Sequence, residues 1–134
     1  MDNPIVLFVD DEVEYIETLM KRMEKRGVAV SMAASGEEAL EWLGLHAVDV
    51  IVLDVKMPGM DGIQTLREIK KFKPQVEVIM LTGHANLESA SQGMALGAFD
   101  YLMKPFNIDE LFYKIQDACL LKRMQEGKTK YVKA

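Results

Sequence analysis

The sequence predicts an α/β fold: a doubly wound, five-stranded parallel sheet in the order 2-1-3-4-5, with five helices. Three observations carry this prediction. Short apolar runs alternate along the chain with segments whose apolar residues recur three and four positions apart. The runs do not alternate apolar with polar, as in Val50-Ile51-Val52-Leu53, and a strand covered on both faces requires such a run. The 134 residues, 49% of them apolar, are enough for one domain with a real core and leave almost nothing for a second.

The first strand is expected at Ile5–Val9. The helix after it carries Ile16, Leu19, Met20 and Met23 at helical spacing, and Gly27 stands where a C′ glycine ends a helix. The second strand is expected at Val28–Ala33, and Ser35 with Glu38 forms a capping box for the second helix, where Trp42 packs. Val50–Leu53 is the third strand, and Asp61 can cap the helix that follows. The fourth strand is Val76–Leu81. Around Leu87–Leu96 the fourth helix holds Ser89, Ser91 and Gly93, all poor helix formers in an interior, and Gly97 closes it. Phe99–Met103 is the fifth strand. Asn107 with Glu110 approximates a second capping box before Ile108, Leu111, Phe112 and Ile115. Met32, Met80 and Met103 fall on strands and read as core fillers.

Composition narrows the function. The single cysteine, Cys119, cannot form an internal disulfide and reads as packing in the last helix. The start Met-Asp-Asn-Pro lacks a signal peptide's basic and apolar regions, and no apolar run approaches the roughly 18 residues of a membrane helix. A soluble protein of a reducing cytoplasm, without membrane contact, is the expectation. Residues 1–118 carry 11 Lys/Arg against 20 Asp/Glu, whereas residues 119–134 carry five against one. So acidic a body disfavours direct nucleic-acid binding. Residues 1–125 form the expected domain and 126–134 a basic tail or linker stub.

In the 2-1-3-4-5 order, strands 1 and 3 lie side by side at the centre, and ligands bind beyond their C-terminal ends. Asp10-Asp11-Glu12 ends the first strand and Asp54 the third, so carboxylates converge at one crevice. Like charges at close range raise one another's pKa unless a cation offsets them, and hard oxygen ligands suit Mg²⁺. The alternative is that Asp10 and Asp11 cap the first helix and Asp54 a loop turn. Thr82 ends strand 4 and Lys104 follows strand 5, which adds a hydroxyl and an ammonium to the same edge. Together they could hold the oxygens of a phosphoryl group on a carboxylate.

These motifs, in this order and spacing, resemble the response-regulator receiver domain across residues 4–124. They are Asp10-Asp11, Asp54 followed by Met57-Pro58-Gly59-Met60-Asp61-Gly62, Leu81-Thr82-Gly83, Gly97-Ala98-Phe99-Asp100-Tyr101 and Lys104-Pro105-Phe106. The resemblance implies a flavodoxin-like three-layer sandwich of a two-component or phosphorelay system. It implies that Asp54 accepts a phosphoryl group from a histidine kinase or a histidine phosphotransfer protein. Mg²⁺, with Mn²⁺ as the alternative ion, would be held by Asp11, Asp54 and the backbone carbonyl of Lys56, with Asp10 direct or through water. Lys104 would bind a phosphoryl oxygen, and Thr82 and Tyr101 would switch the face formed by helix 4, strand 5 and helix 5. That face would address a downstream protein, a tethered output domain or a second copy in a phosphorylation-dependent dimer. Lys56 and His84 would tune the lifetime of the aspartyl phosphate, and the Lys104–Pro105 peptide would be cis. Met57 and Met60 would help receive a kinase helix.

Three rivals are weaker. A flavodoxin-like cofactor binder would need a glycine- or hydroxyl-rich phosphate loop after strand 1, where this chain has carboxylates. A phosphatase with an aspartate nucleophile would need a second acid two residues on, where Lys56 stands. A phosphorylation-independent interaction module on the same fold has no need of Asp10, Asp11, Asp54, Thr82 and Lys104 together. The domain would phosphorylate and dephosphorylate itself without being a conventional enzyme. No helix-turn-helix follows the last helix within these residues, and a stand-alone receiver reads like one that is part of a longer regulator.

Overall fold

The structure, a computed structural model, describes residues 3–55, 61–83 and 87–127. Its elements are β1 (Ile5–Val9), α1 (Val13–Lys25), β2 (Ala29–Ala33), α2 (Gly36–Leu45), β3 (Val50–Asp54), α3 (Gly62–Phe72), β4 (Glu77–Thr82), α4 (Leu87–Ala95), β5 (Asp100–Met103) and α5 (Ile108–Glu126). All strands pair in parallel, in the order β2-β1-β3-β4-β5.

Successive strand residues point to opposite faces, and each face carries its own apolar cluster. On one, Leu7, Val9, Ile51, Leu53, Val78 and Met80 pack with Leu43, Leu66 and Ile69 from α2 and α3. On the other, Val6, Phe8, Val50, Val52, Ile79 and Leu81 pack with Ile16 and Leu19 of α1 and with Leu111 and Ile115 of α5. Double coverage is why the central strands read as unbroken apolar runs.

β1 falls at the expected Ile5–Val9, and the other four strands differ from the sequence expectation by one residue at one end or both, for local reasons. Val28 stays in the turn between α1 and β2, where its N–H donates to the Met23 carbonyl at 3.1 Å. Val76 is likewise held in a turn by the Lys73 carbonyl at 3.1 Å, so β4 begins at Glu77 and runs on to Thr82. β3 extends to Asp54, which pairs with Leu81, and β5 starts at Asp100, paired with Ile79. Ser35 caps α2 through the Glu38 N–H at 3.1 Å, and Asp61 caps α3 through the Gln64 N–H at 2.8 Å. Asn107 caps α5 one position earlier than expected, accepting from the Asp109 N–H at 2.8 Å rather than from Glu110. Gly27 (φ 86°) and Gly97 (φ 103°) take the left-handed conformation that ends a helix.

Gly93, expected only to weaken α4, has a packing role. It is buried against β4, and a Cβ there would overlap the Met80 thioether. At the N-terminal edge of the sheet, buried Asp49 ties the chain start to α5. It accepts from the Ile5 N–H (2.9 Å), Lys122 Nζ (3.1 Å) and Arg123 Nη2 (2.7 Å). Burial pushes its carboxyl up, but these three donors outweigh burial and hold it below the ordinary aspartate value. Cys119 is buried beside them, and desolvation lifts its thiol to about 11, which fits packing rather than thiolate chemistry.

Candidate functional site

The parallel sheet puts the last residues of β1, β3, β4 and β5 at one edge, so residues distant in sequence meet there. Asp10 follows β1, Asp54 ends β3, Thr82 ends β4 and Lys104 follows β5. The ladder fixes their relative height: Asp54 pairs with Leu81, Thr82 with Met103, and the Lys104 N–H donates to the Thr82 carbonyl at 2.7 Å. The Lys104–Pro105 peptide is cis.

Burial is deep for such polar groups. Asp10, Asp54 and Thr82 are 0%, 5% and 1% exposed. Asp10 Oδ1 accepts the Glu12 N–H at 2.9 Å, while Asp10 Oδ2 and Thr82 Oγ1 have no hydrogen-bond partner among the described residues. Buried polar atoms of this kind are rare, and functional sites are one place where they occur. Desolvation raises the Asp10 carboxyl above its ordinary value, and the nearby Lys104 charge and the Glu12 N–H offset that only in part. Lys104 Nζ lies 3.8 Å from both Asp10 Oδ2 and Asp54 Oδ1.

Asp10, Glu12 and Asp54 each offer a carboxylate oxygen, and these oxygens lie within 4.8 Å of one another. The donor set fits a hard divalent cation, since it is all oxygen and includes one buried oxygen with no hydrogen-bond partner among the described residues. The membership differs from the sequence expectation. Asp11 is exposed at the middle of the turn closed by the Asp10–Glu12 hydrogen bond, and Glu12 stands in the cluster instead. For Asp10 and Asp11 the capping alternative is not what forms: α1 has Glu12 at its N-cap with no side-chain cap.

Tyr101 is half-buried and packs against the cluster that includes Leu66 and Met80. Its strand is tied to α5 by the ion pair between Asp100 and Lys114. Lys56, Met57, Pro58, Gly59, Met60 and His84, with the roles expected of them, lie outside the described residues, as do residues 128–134 of the tail. Sequence reasoning passed over Tyr15, whose ring lies under the Lys104 ammonium, with 5.1 Å between Nζ and the ring centroid. Its place in the first turn of the helix that starts at the acidic residues was the available signal. Burial raises its hydroxyl pKa, with Asp10, Glu12 and Asp54 adding to the effect.

Comparison with known proteins agrees with this geometry. Residues 6–116 match the response regulator receiver domain, and the chain belongs to that family. It is 35% identical over 133 residues to the transcriptional regulatory protein ZraR of Escherichia coli O157:H7, covering 99% of this chain and 30% of that protein. It is 38% identical over 118 residues to the DNA-binding transcriptional regulator NtrC of Escherichia coli strain K12, covering 88% of this chain and 25% of NtrC. The chain thus spans less than a third of the length of these curated relatives. Among solved structures, a response regulator receiver domain protein from Clostridium thermocellum superposes with a TM-score of 0.87 at 36% identity, covering 91% of this chain and 98% of that one. None of the described helices is long and apolar enough to cross a membrane.

Proposed function

We propose that Asp54 is the phosphoacceptor of this receiver domain. One observation carries the reading: a buried carboxylate ends the central strand with the Lys104 ammonium 3.8 Å away, at the edge where Thr82 Oγ1 and Asp10 Oδ2 lack hydrogen-bond partners among the described residues. An Asp54 oxygen attacks the phosphorus of a phosphohistidine on a sensor kinase or phosphotransfer protein. The P–N bond breaks, and the imidazole leaves as the aspartyl phosphate forms. Lys104 binds one phosphoryl oxygen, and the Thr82 hydroxyl is available to donate to another.

Mg²⁺, or Mn²⁺ in its place, would be held by Asp10, Asp54 and either Glu12 or, after a turn of the loop, Asp11, with the Lys56 carbonyl as a further ligand. When bound it supplies positive charge that offsets the charge gathered during transfer. Phosphorylation then biases Thr82 and Tyr101 and with them the face of α4, β5 and α5, which binds a downstream protein, a tethered output domain or a second copy. The reaction belongs to the cytoplasm, and Lys56 and His84 tune how long the phosphoryl group stays. The domain acts on itself and is not a conventional enzyme.

The test is incubation with acetyl phosphate, with and without Mg²⁺, followed by intact mass for the wild type and Asp54→Ala. One phosphoryl adduct that requires both Mg²⁺ and Asp54 is expected. No adduct would overturn the reading and favour a phosphorylation-independent interaction module.

A further inference from the structure

We infer that Tyr15 is a positioning residue for Lys104: its ring face holds the lysine ammonium over the crevice between Asp10 and Asp54, where an incoming phosphoryl oxygen meets it. The functional consequence rests on the phosphoacceptor reading of Asp54, and the geometric part stands without it.

Lys104 has a long flexible stem, and its side chain is 27% exposed. Its contacts to Asp10 Oδ2 and Asp54 Oδ1 are both 3.8 Å, beyond hydrogen-bond distance, so neither carboxylate fixes the direction of the ammonium. The third neighbour is the Tyr15 ring, with its centroid 5.1 Å from Nζ and within reach of a cation–π attraction. The three contacts come from the end of β1, the end of β3 and the first turn of α1, and together they confine the ammonium from three sides. Tyr15 lines a cleft with Leu19, Phe106 and Ile108 and is 38% exposed, so the ring reaches Lys104 from the solvent side of the crevice.

The ring differs from the two carboxylates in one respect that bears on function. Asp54 exchanges its carboxylate charge for that of the phosphoryl group when it becomes an acyl phosphate, whereas the quadrupole of the ring is the same before and after. Tyr15 therefore holds Lys104 in both states. A preorganised cation at the site of developing charge speeds transfer, and a lysine free to swing into solvent does so less. The attraction requires an aromatic face and not the hydroxyl, which separates Tyr15→Phe from Tyr15→Leu.

The test uses this chain with both variants and two readouts. Proton–carbon NMR of the Lys104 ε-methylene, assigned by its loss in Lys104→Arg, is expected to show an upfield ring-current shift that Tyr15→Phe keeps and Tyr15→Leu abolishes. The rate of phosphorylation by acetyl phosphate at saturating Mg²⁺ is expected to fall about two- to fivefold in Tyr15→Leu and to be restored in Tyr15→Phe. An unshifted ε-methylene in the wild type, a Tyr15→Leu rate equal to wild type, or a Tyr15→Phe rate as low as that of Tyr15→Leu would overturn the inference. Wild type that gains no phosphoryl group, or Asp54→Ala that gains one, instead overturns the phosphoacceptor reading, and the NMR arm then decides the hold of Tyr15 on Lys104 by itself.

Discussion

Lys104 reaches across β4 from the end of β5 to bring its ammonium within 3.8 Å of Asp54 Oδ1 at the end of β3. No local sequence feature links the two residues; the parallel register does. If Lys104 stabilises the phosphoryl group on Asp54, Lys104→Met lowers the rate of phosphorylation by acetyl phosphate about 10²-fold, the scale of losing one charge-stabilising donor. Intact-mass time courses measure this, and a rate within twofold of wild type would exclude the role.

Asp10 is a buried carboxyl that weakens the fold while it is ionised. Its carboxyl is fully buried, and desolvation raises its pKa more than Lys104 lowers it. A carboxyl whose folded value lies above its unfolded value destabilises the fold while ionised. Asp10→Asn, which keeps an acceptor for the Glu12 N–H, is therefore expected to stabilise the domain by about 1 kcal/mol at neutral pH without divalent ions. The gain shrinks as pH falls through the raised Asp10 value, where the wild type sheds its charge. Urea unfolding of both proteins at several pH values measures the difference, and a less stable Asp10→Asn at neutral pH contradicts the account.

Asp49 has the opposite sign. Its folded pKa is lowered, so its contribution is complete above the unfolded value of 3.8 and is lost as pH falls through the folded one. Asp49→Asn leaves the buried Lys122 short of a partner and is expected to cost about 2–4 kcal/mol at pH 7. The gap between wild type and variant narrows below pH 3.8. Chemical denaturation of both proteins across that range is the check.

Gly62 backs directly onto the strand end that carries Asp54. Its N–H donates to the Val55 carbonyl at 3.0 Å, and a Cβ would stand 2.7 Å from that oxygen and 2.8 Å from the Asp54 carbonyl oxygen. Both obstacles are backbone, so no side chain can swing aside. Gly62→Ala is expected to destabilise by about 1–3 kcal/mol, although alanine is the better helix former. It should also slow phosphorylation by shifting Asp54. Thermal unfolding and the acetyl phosphate assay test the two effects separately.

The fold was legible because each face of the sheet leaves its own mark. The unbroken apolar runs follow from double coverage, and Ser35, Asp61, Gly27 and Gly97 act locally, within one turn of their own positions. What stayed hidden depended on distance or on packing. Asn107 caps α5 through the Asp109 N–H, a choice between neighbouring donors that composition does not mark. Gly93 reads as a weak point of α4 from composition alone, whereas in the fold the Met80 thioether occupies the space beside it. At the site, Asp10, Asp54, Thr82 and Lys104 could be assembled because each ends a strand. That Glu12 rather than Asp11 joins the cluster, and that Tyr15 meets Lys104, depends on how the turn after β1 leads into α1. The pairing of Asp49 with Lys122 and Arg123 spans more than 70 residues and left no local signal.

The central claim is that Asp54 itself carries the phosphoryl group. Borohydride reduces an acyl phosphate to the alcohol, so treating the acetyl phosphate-labelled protein with it and sequencing its peptides by mass spectrometry locates the modified carboxylate. The account predicts conversion at Asp54 alone, dependent on Mg²⁺ during labelling. Conversion at Asp10, Asp11 or Glu12, or none at Asp54, would contradict it.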